Sequence, residues 1–92
     1  MNAWKVELTP SAQRELRQLE AGPRQAALEL IEDLADDPVL VPAIELNSNP
    51  DNWRARFHHD RYRMIYQISS SRKHTLVTRI RLRPIAYENM KR

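Results

Sequence analysis

At 92 residues, with 41% hydrophobic and 29% charged side chains, the chain has the size and composition of one globular domain spanning 1–92. It has no cysteine, which excludes a disulfide scaffold and a thiolate metal site, and it fits a reducing compartment. The net charge of +3 hides a segregation: residues 1–51 hold Lys5, Arg14, Arg17 and Arg24 against ten acids, whereas residues 52–92 hold eleven bases against Asp60 and Glu88. A basic half of this kind attracts polyanions at range; the alternative is that the two halves neutralise each other as solvated surface. A domain this small buries only roughly 60–65% of the surface of its unfolded chain, so a partner would stabilise it. No apolar run approaches the roughly 18 residues of a membrane span, and the N-terminus lacks a secretory apolar core. The expected location is the cytoplasm, away from membranes.

In chain order, Trp4 to Leu8 alternates apolar and polar residues with period 2, as a half-buried strand does. Thr9 then offers a helix N-cap with Pro10 at the first helical position, where the missing N–H costs nothing. Ala12, Leu16 and Leu19 predict a short amphipathic helix to about Glu20, ended by Ala21-Gly22-Pro23 with Gly22 as its C-cap. From Arg24, the residues Ala27, Leu30, Ile31 and Leu34 predict a second amphipathic helix, closing near Asp36-Asp37-Pro38 and folding back on the first. Val39 to Asn52, with Pro42 and Pro50, reads as a loop pinned by Leu40, Ile44 and Leu46.

After the loop the period returns to 2. Trp53, Ala55 and Phe57 alternate with Arg54 and Arg56; Tyr62, Met64, Tyr66 and Ile68 with Arg63, Ile65 and Gln67; Leu76, Thr78, Ile80 and Leu82 with Val77, Arg79 and Arg81. Short polar connections, His58 to Arg61 and Ser69 to His74, make these an antiparallel meander, with a helical turn after Ile85. The expected fold is α+β in the order β-α-α-β-β-β, a helical hairpin packed on one face of a small, mostly antiparallel four-stranded sheet. The open face carries the arginines. Whether Arg54 and Arg56 share that face with Arg79 and Arg81 depends on register.

Leu46-x-x-x-Pro50-Asp51-x-Trp53-Arg54-x-Arg56, then Arg61-Tyr62-Arg63-Met64-Ile65-Tyr66, then Arg83-x-x-x-Tyr87 resembles the RelE/ParE superfamily of bacterial toxins over nearly the whole chain. The resemblance implies the toxin of a type II toxin–antitoxin system, held inactive in a hetero-oligomer with a cognate antitoxin. Its RelE-like branch implies an mRNA interferase, a ribosome-dependent endoribonuclease that cleaves messenger RNA without metal or cofactor by attack of the 2′-hydroxyl. Its ParE-like branch implies inhibition of DNA gyrase without catalysis. An inactive nucleic-acid-binding module of the same fold is the third reading. Arg54, Arg56, Arg63, Arg83 and Tyr87 occupy the positions that match the family's functional residues.

Cleavage by 2′-hydroxyl attack needs a proton acceptor, cations for the phosphorane and an acid for the leaving oxygen. Arginine suits the second role, because its planar fork meets phosphate oxygens bidentately and keeps its charge. Arg54 and Arg56 stand where the best-known RelE pattern often has lysine, and an arginine does not give up its proton at neutral pH. Tyr87 is the candidate acceptor or base-stacking residue, set against a tyrosine that packs the tail. His58 and His59 have the chemistry of an acid or base but sit at a hairpin tip; His74 is a weaker candidate. Trp53, Phe57, Tyr62 and Tyr66 alternate away from the arginines, which points them at the core rather than at nucleobases. Three histidines without a His-x-x-x-His pair or acidic ligand cluster give no metal site.

Overall fold

The computed structural model describes residues 3–46 and 52–82. Strand β1 (Lys5–Leu8) leads into α1 (Pro10–Gln18) and α2 (Ala21–Asp36). A 3-10 turn (Pro38–Leu40) and a two-residue strand β2 (Ile44–Glu45) follow, then β3 (Asn52–Phe57), β4 (Tyr62–Ser69) and β5 (His74–Leu82). The sheet has five strands, not the four expected, in the order β1-β5-β4-β3-β2. β2 was missed because two residues, Ile44 opposite Arg54 and Glu45 opposite Trp53, are too few for a period to show. β1 lies parallel to β5, and the other pairs are antiparallel.

Helix α1 starts as its sequence dictates. Thr9 is extended (φ −64°, ψ 162°), its hydroxyl accepts from the Ala12 N–H at 3.1 Å, and Pro10 occupies the first turn. The same hydroxyl donates to the Thr78 carbonyl at 3.2 Å, so one side chain caps the helix and ties it to β5.

The boundary between the helices differs from the expected one. α1 stops at Leu19 and Glu20, both extended, while Gly22 and Pro23 lie in the first turn of α2. Pro23 is tolerated there because the first N–H groups of a helix have no intrahelical acceptor anyway. Arg24 closes the joint, its guanidinium donating to the carbonyls of Arg17 (3.2 Å) and Leu19 (2.6 Å) at the end of α1.

Ala12, Ala27, Leu30 and Leu34 from the helices meet Ala55, Phe57, Met64, Tyr66, Val77 and Ile80 from the sheet. Each large side chain fully removed from water contributes about 1.5–3 kcal/mol, so Leu34, Met64, Tyr66, Val77 and Ile80 fix the helices on this face.

A bulge corrects the expected alternation of β5. Ile65 pairs with Arg79, but Tyr66 pairs with Val77, leaving Thr78 as an extra residue. The Thr78 hydroxyl donates to the Ile65 carbonyl at 3.2 Å, which holds the irregularity in place. Val77 and Thr75 therefore join Ile80 in the core, and Leu76 turns to the other side.

Candidate functional site

The register of β3, β4 and β5 answers the question that period alone left open. Arg56 lies opposite Arg63, which lies opposite Arg81; one step along, Arg54 lies opposite Ile65, which lies opposite Arg79. All five arginines occupy the sheet face turned away from the helices. Without the Thr78 bulge one phase along β5 could not put both Val77 and Ile80 in the core, so the bulge reconciles the core with the arginine face.

Like charges directly opposite one another on adjacent strands repel. An anion laid across Arg56 and Arg63 turns that repulsion into attraction. Arg54 and Arg63 are half-buried and Arg56 is exposed. Pro42, Ala43, Ile44, Arg54, Arg56 and Asp60 line a shallow groove of about 440 Å³ along the β2 side of the face.

The aromatic residues point the other way. Trp53 opposes Tyr66 and Phe57 opposes Tyr62, and the Phe57 and Tyr62 rings stack at 5.6 Å. They are core and half-core residues, not a stacking platform beside the arginines. Tyr66 is fully buried, and loss of water around its phenol pushes its pKa up to about 12, so it stays a phenol at neutral pH.

The three histidines are not gathered on the face. His58, His59 and Asp60 all have positive φ (52°, 62° and 61°) in the turn closed by the Arg61 N–H to the His58 carbonyl at 3.2 Å. The His58 ring lies 5.8 Å from that of Tyr62 and packs on Gly22, where a Cβ would stand 3.3 Å from His58 Cε1. The single glycine thus serves a close helix–hairpin contact and not a helix C-cap. His74 sits at the far end of β5, its Nε2 2.7 Å from Glu7 Oε1. That hydrogen bond, with help from Lys5, holds the Glu7 carboxyl below its ordinary pKa of 4.5.

Arg83 and Tyr87 lie outside the described residues, as does the helical turn expected after Ile85. Among the described residues no three His, Cys, Asp or Glu side chains are grouped to hold a metal, and no helix is long and apolar enough to cross a membrane.

One contributor escaped the sequence reading. Glu15, on α1, accepts the Ile80 N–H at 2.7 Å through Oε1, while Oε2 lies 3.2 Å from Arg79 and 3.7 Å from Arg81. Nothing local marks it, because its partners are some 65 positions away.

The same pair of helices on a mixed sheet recurs in solved toxins of toxin–antitoxin systems. The structure is similar to the RelBE2 toxin–antitoxin complex from Mycobacterium tuberculosis, with TM-score 0.75 and 26% identity over 90% of this chain and 94% of that one. It also matches the isolated Escherichia coli RelE toxin, with TM-score 0.77 and 19% identity over 97% and 96% of the two chains. The RelE–RelB complex from Pyrococcus horikoshii gives TM-score 0.70 and 22% identity over 87% and 94%. The profile of the ParE toxins of type II toxin–antitoxin systems matches residues 6–87, and the chain belongs to that family. No curated protein matches its sequence.

Proposed function

We propose that this toxin acts as a RelE-like mRNA interferase that cleaves messenger RNA on the ribosome and is restrained by a cognate antitoxin. The observation that carries the reading is the direct opposition of Arg56 and Arg63, with Arg54 one step away on the same face. In the reaction the 2′-hydroxyl oxygen attacks the adjacent phosphorus, the bond to the 5′-oxygen breaks, and a 2′,3′-cyclic phosphate and a 5′-hydroxyl result. Arg54, Arg56 and Arg63 hold the phosphate and stabilise the extra negative charge of the phosphorane, and Arg83, which directly follows β5, adds a further cation. Tyr87 takes the role of stacking residue or proton acceptor; no metal or cofactor is required. The antitoxin is supported by the similarity to solved toxin–antitoxin complexes and by a cationic face suited to an acidic segment.

A second reading, ParE-like inhibition of DNA gyrase, is favoured by two observations. The matching family profile is that of ParE, and the residues at 54 and 56 are arginines that do not serve as proton acceptors. A ribosome-programmed translation reaction with mapped messenger ends, run beside a gyrase supercoiling assay, decides between them. Cleaved messenger and untouched supercoiling are expected, with Arg63→Ala lowering cleavage by about 10²–10³-fold, the usual effect of removing one preorganised donor to a transition-state oxyanion. Intact messenger with blocked supercoiling would overturn the first reading in favour of the second. Co-expression of the neighbouring open reading frame should yield a complex that suppresses either effect.

A further inference from the structure

Of the five arginines on the sheet face, two are drawn towards the helix layer by one carboxylate. β1 ends opposite Val77, so the edge of β5 beyond it has no strand partner among the described residues. α1 covers that stretch, and Glu15 accepts the Ile80 N–H. The bond fixes the Glu15 carboxylate, only 20% exposed, at the rim where the two sides of the sheet meet. Its other oxygen faces both the Arg79 and Arg81 guanidinium groups. An ordinary surface ion pair loses much of its attraction to side-chain entropy and screening, but here a backbone hydrogen bond has already set one partner. The ion pair runs through Arg79 Nη2, 3.2 Å from Glu15 Oε2, while Arg79 Nε is shielded from solvent and has no hydrogen-bond partner among the described residues.

We propose that Glu15 is a positioning residue that withholds Arg79 and Arg81 from the arginine face and so limits how many phosphates the face engages. The inference rests on the reading of that face as a polyanion site. In the free protein the working cations are then Arg54, Arg56 and Arg63, while Arg79 and Arg81 serve the α1–β5 contact. Glutamine at position 15 keeps the acceptor for Ile80 through its amide oxygen and removes the charge that holds the two guanidinium groups.

The test uses the full chain and two probes, a single-stranded oligoribonucleotide and inorganic polyphosphate, with binding measured as a function of salt. Each phosphate neutralised on a single strand contributes about −0.7 to the slope of log K against log salt. Glu15→Gln should steepen that slope by up to about 1.4, for two released arginines, and tighten binding at low salt. In the wild-type background, Arg79→Gln with Arg81→Gln should leave the slope nearly unchanged, and in the Glu15→Gln background it should erase the gain. A purely structural Glu15 would lower the melting temperature without moving the slope, and that outcome overturns the proposal. So does a loss of slope from the Arg79 and Arg81 substitutions in the wild-type background, a result that does not depend on the Glu15 variant folding. If the wild type binds polyphosphate but not RNA, the RNA reading fails while the polyphosphate series still tests Glu15. If neither probe binds wild type or Glu15→Gln, both readings fall.

Discussion

Arginine holds a phosphate but does not take a proton from a hydroxyl, and that limit shapes the whole site. The described residues of the face supply cations, and Tyr66, fully buried, lies on the core side with its phenol held protonated. Among the described residues the Tyr66 hydroxyl has no hydrogen-bond partner, so it is an uncompensated polar group in the core. Replacing Tyr66 with Phe should raise stability by about 1 kcal/mol, read from the urea midpoint, and leave toxicity in place. Much at this scale was legible from period 2: Arg54, Arg56 and Arg63 opposite the aromatic residues emerge from alternation alone. The addition of Arg79 and Arg81 to the same face was not, because it depends on the extra residue Thr78. Glu15 was hidden for another reason, since its partners are brought to it only by the folding of α1 against the sheet edge.

At the level of elements, the start of α1 and the end of α2 could be read, and the joint between them could not. Proline is favoured in the first turn of a helix and also just past the end of one, for the same reason: it has no N–H to donate. Gly22-Pro23 therefore looks the same in sequence whether it stops one helix or starts the next, and only the Arg24 bonds to Arg17 and Leu19 show which applies. Thr9 is the element-scale residue with most at stake, since it caps α1 and also bonds to β5. Thr9→Ala should cost about 1–2 kcal/mol in a denaturant titration, the range of a lost N-cap, whereas Thr9→Ser should restore most of it. If Ala and Ser were equally stable, neither hydrogen bond would contribute.

Over the whole molecule, the acids of α2, including the exposed Glu29, Glu32, Asp33 and Asp36, lie in the helix layer, and the five arginines of β3, β4 and β5 lie on the opposite face of the sheet. The protein is thus electrically two-sided, which a count along the chain anticipated and which the sheet order explains. A further contact between distant parts of the chain joins Glu7 on β1 to His74 on β5. Because the folded carboxyl of Glu7 is held below its ordinary value, the unfolded chain takes up its proton first as pH falls. The stability it contributes is present above about pH 4.5 and is lost as pH drops through the folded value. Glu7→Gln should flatten that part of the acid limb when melting temperature is followed from about pH 6 to pH 3; an unchanged limb would mean the pair has no net effect.

The parallel joint between β1 and β5 has a further consequence for the order in which the chain can fold during synthesis. β1 is made first, yet among the described residues its strand partner is β5, and the contact from Thr9 to Thr78 spans 69 positions. The helices and the β3–β4 hairpin can form as they emerge, but the sheet cannot close until its last strand has left the ribosome. The Arg56–Arg63 pair, formed within one hairpin, arises before that closure, whereas the Glu15 contact arises only with it. The nascent chain therefore sets Arg56 and Arg63 side by side before Glu15 reaches Arg79 and Arg81.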